Sequence, residues 1–400
     1  MFIVQDLHVL IFNQKLKTMT RKIFLPILGA LIALGAKAQD STRTFVVSGS
    51  ADGYYRYNFT APAVSGATNN YTSFTNSQNS FELGMATLRV DGTGLSGKIA
   101  ATADLGFGRR AQEFSYPDGT GWNGSAPTGG NGFASLAAVK QLFISYTPGK
   151  LVTFTLGKWD THIGYESVDA YNNKNYSMDY LFSYGPFSHT GFKAQYTKGN
   201  LGVMLGVANP TDNATTSPGT NSSVGTISTV KTLIAQVSDS IGKVMVYLNY
   251  QGFFGATEPQ NVPNASYNYL KSLNQIDVVA EASLNSKWSL VDNFSTQFRT
   301  GLDGTSKTWV GDALYITYAP TGASSFTLRG EYISDPDSSL FGPAKTLDDI
   351  TLSYNYVVGG RLTIIPEVRL DGATNPIFTK SDGTSTTSTF TGLIAAVYKF

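Results

Sequence analysis

The sequence contains no cysteine, which excludes a disulfide framework, a thiolate metal site and a cysteine nucleophile. Charge is scarce too. Asp, Glu, Lys and Arg make up 14% of the chain, against roughly a quarter in ordinary soluble domains. The formal net charge of +1 gives no reason to expect nucleic acid as a partner. Histidine is rare (His8, His162 and His189) and forms no cluster for zinc. Neither a Gly-x-Ser-x-Gly elbow nor a His-Glu-x-x-His motif is present. Asp160, His162 and Glu166 could in principle share a metal, but loop residues of this kind are ordinarily just hydrated. No metal, cofactor or catalytic set is therefore expected. An outer-membrane hydrolase, the main enzymatic alternative, would need a Ser–His pair on a lipid-facing strand, and both remaining histidines fall near one long loop instead.

Long hydrophobic runs are also missing, with one exception near the start. From Met19 the chain reads MTRKIFLPILGALIALGAKAQD. Arg21 and Lys22 form a basic lead, Ile23 to Ala36 an apolar run, and Ala36-Lys37-Ala38 a small-x-small cleavage site. The run is short for a membrane helix of about 20 residues. Residues 19–38 thus read as a signal peptide rather than an uncleaved anchor, with 1–18 an upstream extension and 39–400 the mature protein. An exported chain without a spanning helix is a soluble periplasmic β-protein or an outer-membrane barrel.

What is abundant decides between them. Glycine (41), phenylalanine (24) and tyrosine (22) are plentiful, and apolar residues alternate with polar ones through most of the chain. Leu362, Ile364, Pro366, Val368 and Leu370 share one face, opposite Arg361, Thr363, Ile365, Glu367, Arg369 and Asp371. The same period recurs around Ile350, Ile276 and Ile99. Apolar faces often end in aromatics, as at Phe107, Tyr146, Tyr196, Tyr250, Tyr318, Tyr332 and Tyr356, which suits interfacial girdles. Short Gly, Pro, Asn and Asp turns at 91–94, 147–150, 198–200, 238–242, 284–287, 319–323 and 358–360 alternate with longer loops. Those loops cover about 60–78, 112–132, 160–187, 209–228, 255–271, 301–307, 334–347 and 371–387. This rhythm predicts an all-β fold, a transmembrane antiparallel up-and-down β-barrel of about 16 strands. A bulge is expected near Ala86, where the alternation changes phase, and Asp292 interrupts an otherwise apolar face. The final strand closes on Phe400, resembling the signal that barrel-assembly machinery reads in its clients.

Such a barrel leaves polar positions facing inward. Lys98, Asp104, Lys193, Asp277, Glu281, Arg329, Glu331, Asp349, Glu367 and Arg369 are the lumen-wall candidates, either lining water or pairing with one another. Segment 160–187 is the longest and most tyrosine-rich connection. It is read as a constriction loop folded into the pore or as an external cap. Under the first reading Lys158, Trp159, Asp160, Glu166, Asp169, Lys174 and Asp179 set the passage. Trp159, Tyr165, Tyr171, Tyr176, Tyr180 and Tyr184 would then offer stacking surfaces to solutes.

Gly157-Lys158-Trp159-Asp160, Gly164-Tyr165-Glu166, Tyr184-Gly185-Pro186-Phe187 and His189-Thr190-Gly191 resemble the OmpL-like β-barrel porin family of Bacteroidetes and Proteobacteria. The likeness is specific over 157–191 and extends in layout over most of the mature chain. It implies an outer-membrane porin-like barrel and brings no substrate with it. The Gln-Asp that follows the cleavage site looks like a Bacteroidetes export junction. The expected function is a water-filled channel in the outer membrane of a Gram-negative bacterium, passing small hydrophilic solutes by diffusion. Its partners would be outer-membrane lipid, those solutes and, during biogenesis, the assembly machinery; the oligomeric state is left open. A structural or adhesive barrel is the other non-enzymatic reading. A TonB-dependent transporter is disfavoured, because it needs an N-terminal plug and about 22 strands. N-terminal sequencing of protein taken from outer membranes is predicted to begin at Gln39; a start upstream of Ala38 would contradict the cleavage site.

Overall fold

The computed structural model describes residues 43–62, 68–115, 134–214, 230–260, 268–301 and 303–400. The expected signal peptide and its extension lie outside the described residues. The first eight strands are β1 (Thr44–Asn58), β2 (Ser80–Gly94), β3 (Ile99–Phe107), β4 (Val139–Tyr146), β5 (Val152–Asp160), β6 (Ser188–Lys198), β7 (Leu201–Ala208) and β8 (Thr232–Ile241). They are followed by β9 (Val244–Gln260), β10 (Asn268–Ser283), β11 (Trp288–Gly301), β12 (Ser306–Thr321), β13 (Ser324–Ser334), β14 (Thr346–Val358) and β15 (Leu362–Ala373). A two-residue ribbon, β16 (Phe378–Thr379) with β17 (Ser385–Thr386), sits in the last long loop, and β18 (Ser388–Lys399) ends the chain. Apart from that ribbon, the strands form one closed barrel of 16, each antiparallel to its neighbours.

Closure satisfies every strand edge, which a membrane requires because lipid offers no hydrogen bonds. The seam pairs β1 with β18, Tyr55 opposite Ile394. The terminal residue takes part: Gly49 N–H donates to the Phe400 carbonyl (3.1 Å) and Phe400 N–H to the Gly49 carbonyl (3.0 Å). A side chain at Gly49 would collide with the Phe400 ring.

The period-two pattern sorts the two faces. On β14, outward Ile350 is 58% exposed and inward Asp349 only 1%. Apolar residues thus face out and polar ones are covered, the inverse of a soluble core and the arrangement lipid demands. Aromatic pairs collect near the short-turn end, with Trp288 and Tyr318 rings 4.6 Å apart and Phe326 and Tyr354 rings 4.7 Å apart. These mark the periplasmic interface.

Several details differ from the sequence reading. Strand β2 runs on through 91–94, so the turn is Leu95–Lys98, closed by Gly97 N–H to the Gly94 carbonyl (3.0 Å). Lys98 therefore sits exposed in a turn outside the ladder and is not a lumen-wall residue. The β9–β10 hairpin extends to Gln260 and Asn268, leaving a shorter loop than 255–271, because the polar sequence there still pairs its backbone. The bulge expected near Ala86 is present immediately before it: Gly84 and Met85 together oppose Asp52, whose carboxylate accepts Met85 N–H (3.0 Å). Asp292 does face outward, diagonal to Asp312.

Placing a guanidinium on the outward face, as in Leu352→Arg, is predicted to cost about 2–4 kcal/mol in lipid, whereas Leu352→Phe stays near neutral. Urea unfolding from lipid vesicles measures this; equal midpoints for both variants would contradict the assigned face.

Candidate functional site

The connection between β5 and β6, residues 161–187, turns into the barrel. Its point of departure explains the glycines of the motif. Gly157 on β5 pairs with Gly191 on β6. Gly157 has φ +136°, and a Cβ there would lie 2.1 Å from the Leu142 carbonyl oxygen. At Gly191 a Cβ would lie 2.2 Å from the Val207 carbonyl oxygen. The four strands β4 to β7 pass too closely here for side chains, and φ at Gly157 is one that L-residues rarely adopt.

From there the loop visits the wall strand by strand. His162 Nε2 lies 3.1 Å from the Tyr250 carbonyl on β9. Gly164 N–H donates to Asp277 on β10 (3.0 Å) and Tyr165 N–H to Asn293 on β11 (3.0 Å). The Tyr315 hydroxyl on β12 donates to Asp179 (2.6 Å) and approaches Glu166 (3.1 Å). Leu181 N–H donates to Glu331 on β13 (2.9 Å), and Asn175 Nδ2 to Ser353 Oγ on β14 (2.7 Å). On β15, Glu367 accepts Tyr176 N–H (2.7 Å) and Ser177 N–H (3.1 Å), while Asp371 accepts the Tyr180 hydroxyl (2.6 Å). Across the lumen, the Tyr176 hydroxyl reaches Asp52 on β1 (3.3 Å) and Lys140 on β4 grips Asp169 (2.6 Å).

Arg329 is the hub. Its guanidinium contacts Glu166 (2.9 Å) and Asp349 (3.0 Å) and donates to the Ser177 (2.9 Å) and Met178 (3.2 Å) carbonyls. Arg369 adds Asp349 (2.7 Å), Asp371 (2.7 Å) and the Met178 carbonyl (2.7 Å). Every side chain in this knot is buried. Burial, with the Asp179 carboxylate next to it, pushes the loop's Glu166 up to about 8.

Two apolar clusters complete the docking. Phe182 and Phe187 of the loop, 5.3 Å apart, meet Phe74 of the first long loop and Phe114 of the short helix Arg109–Phe114. Tyr180, Leu181 and Tyr184 pack on Trp309, Ile333, Leu347 and Phe341. The short helix Tyr180–Tyr184 that presents them begins where Asp179 Oδ1 accepts Phe182 N–H (2.6 Å), an N-cap.

The expected constriction residues consequently have diverse settings. Glu166, Asp169 and Asp179 are tied to the wall. Lys158 is buried with its ammonium 5.5 Å from the Phe114 ring, and Asp160 accepts Gln141 Nε2 (2.8 Å). Trp159 packs on Met204 and Ile234 beneath the Lys193 ammonium, 4.5 Å from its ring. Lys174 alone of the seven is exposed. The stacking role fails for Trp159, Tyr176, Tyr180 and Tyr184, which are buried as core; only Tyr165 and Tyr171 keep partial exposure. Of the wall candidates, Asp104 pairs with Lys140 (2.8 Å) and Asp277 accepts Asn249 and Asn293. Arg329, Glu331, Glu367 and Arg369 hold the loop, Asp349 braces the two arginines, and Glu281 is half-buried on β10. Lys140, Tyr315, Asp52 and Asp371 belong to the same network but were not among the candidates. Tyr315 carried a readable signal, a large aromatic at an inward mid-strand position, which indicates a filled interior. Beneath the loop, toward the short turns, the lumen widens into a cavity of about 660 Å³.

The sequence profile of the family described as "Putative beta-barrel porin-2, OmpL-like" matches residues 44–400. The chain belongs to this porin family. Solved structures agree on the fold. OmpT of Vibrio cholerae superposes with TM-score 0.56 at 12% identity, covering 91% of this chain and 99% of its own. An anion-selective porin from Comamonas acidovorans gives 0.55 at 12% identity, covering 90% and 100%. OprB of Pseudomonas putida gives 0.55 at 12% identity, covering 91% and 96%. No curated protein matches the sequence. This porin is thus an outer-membrane barrel whose family and fold point to a channel rather than an enzyme.

Arg329→Ala would leave Glu166 without its cation and Asp349 with Arg369 alone, a loss worth about 3–5 kcal/mol when a buried pair is broken. The porin's loop is predicted to become cleavable by added protease in the variant and to resist it in the wild type. Equal resistance would contradict the anchoring role.

Proposed function

We propose that this porin passes small hydrophilic solutes by diffusion through a lumen narrowed by the inward loop 161–187. The observation that carries the reading is the succession of hydrogen bonds from the loop to β9 through β15 on one side and to β1 and β4 on the other. A segment tied to opposite walls occupies the cross-section at mid-height, so what passes must be small. The buried acids and arginines fix the loop and are not free to select solutes. Selection falls instead to residues that still meet water, Lys174 foremost among the proposed constriction residues.

The protein reaches this location, in our reading, through the signal peptide of residues 19–38 and works without metal, cofactor or catalytic step. His162 and His189 support this. Their rings lie 5.1 Å apart inside the barrel, away from the lipid-facing surface where a phospholipid hydrolase would attack. Burial pulls His162 down to about 4.

Purified protein in planar bilayers is expected to give ohmic steps, and deletion of residues 165–182 to enlarge them severalfold. A folded barrel without conductance would refute the channel. Unchanged conductance after the deletion would refute the constriction.

A further inference from the structure

Among the described residues the buried charge carries an excess of acids and is held by hydrogen bonds and ion pairs, but the charge that lines the cavity below the loop is of one sign. Four cationic side chains line the cavity of about 660 Å³: Lys174 from the loop, Lys287 from the β10–β11 turn, Arg361 from the β14–β15 turn and Lys399 from β18. No Asp or Glu side chain lines it. All four cations are exposed, and none makes an ion pair among the described residues. Acids on the neighbouring elements are engaged or set apart: Asp169, next in the chain to the lining residue Ala170, is held by Lys140 at 2.6 Å, Asp91 by Arg89 at 2.7 Å, and Glu281 stands half-buried on β10.

The cations are also positioned. Asn355 Nδ2 donates to the Lys174 carbonyl (2.7 Å), fixing the backbone from which that side chain projects. The Lys399 ammonium lies 5.7 Å from the centre of the Tyr171 ring, at the junction of wall and loop. The remainder of the lining is mostly Ser, Thr, Asn and small apolar residues, which supply neutral hydrogen-bonding groups.

We infer that this periplasmic vestibule is a binding and selection site for small oxyanions, carboxylate or phosphate in chemistry, and that the channel favours anions over cations. The inference rests on the porin reading above. A recess with low-dielectric walls focuses the field of its charges. At 0.1 M salt those fields reach about 10 Å before they are screened. An oxyanion entering it meets several donors and no competing carboxylate.

The test is the reversal potential across a KCl gradient with wild-type protein in planar bilayers. Chloride is expected to permeate over potassium by roughly threefold or more at 0.1 M salt. The triple variant Lys174→Gln, Arg361→Gln, Lys399→Gln changes only exposed side chains, and heat-modifiable gel mobility checks that it is folded. Its permeability ratio is expected to fall to near unity. Acetate and inorganic phosphate, added on the periplasmic side, are compared as blockers of chloride current. Stronger block by one identifies the preferred oxyanion; block by neither overturns the binding site. A wild-type ratio at or below unity, or one unchanged in the triple variant, overturns the selectivity. A folded barrel with no conductance would defeat the porin reading by itself. Equilibrium dialysis of inorganic phosphate with detergent-solubilised protein then decides the vestibule: binding lost in the triple variant supports the site, and no binding to the wild type overturns it.

Discussion

A guanidinium buried inside a barrel has to find several acceptors, because unpaired charge away from water is among the most costly states a side chain can occupy. Arg329 meets that demand with Glu166 from the loop, Asp349 from the wall and two loop carbonyls. Since three of these four partners belong to a segment far away in sequence, the wall is complete only when the loop is inside. Arg369 and Glu331 repeat the arrangement on either side. The loop in turn brings its own aromatic residues inward, so the barrel acquires a packed core at mid-height that its strands alone could not form.

This divides the lumen by function. At the level of the loop, polar groups are matched pair by pair, and their contribution is rigidity. Below it, the same polar alternation is left facing water, and its charges act at a distance. A census of ionisable residues on the inward faces would miss the difference, because it counts Asp349 and Lys174 alike although one is buried in an ion-pair network and the other is solvated.

The strand architecture was legible because lipid imposes a strict period. The alternating stretches that begin at Ile99 and Leu362 and those around Ile276 and Ile350 all fall on barrel strands. Turn boundaries were less legible. Asp91-Gly92-Thr93-Gly94 has turn chemistry yet pairs along its whole length with β1 and β3, so a neighbouring ladder outweighed local propensity. Within the site, the charged positions on β13 to β15 were identifiable from inward parity. Their partners were not: that Glu166 meets Arg329 and Asp169 meets Lys140 depends on how the loop crosses the lumen, which no local pattern encodes. The tyrosines misled for the same reason. An aromatic in a polar loop suits an exposed stacking surface and a buried contact equally well until the opposite wall is known.

The absence of native cysteine allows the central claim to be tested with a single engineered pair. Asn175 of the loop and Ser353 of the wall are in side-chain contact at 2.7 Å, 178 residues apart in sequence. With both changed to cysteine, protein recovered from outer membranes should carry a disulfide, seen as a mobility shift reversed by reductant, in nearly every folded barrel. A folded barrel whose two thiols remain free under oxidising conditions would show that the loop does not lie across the lumen.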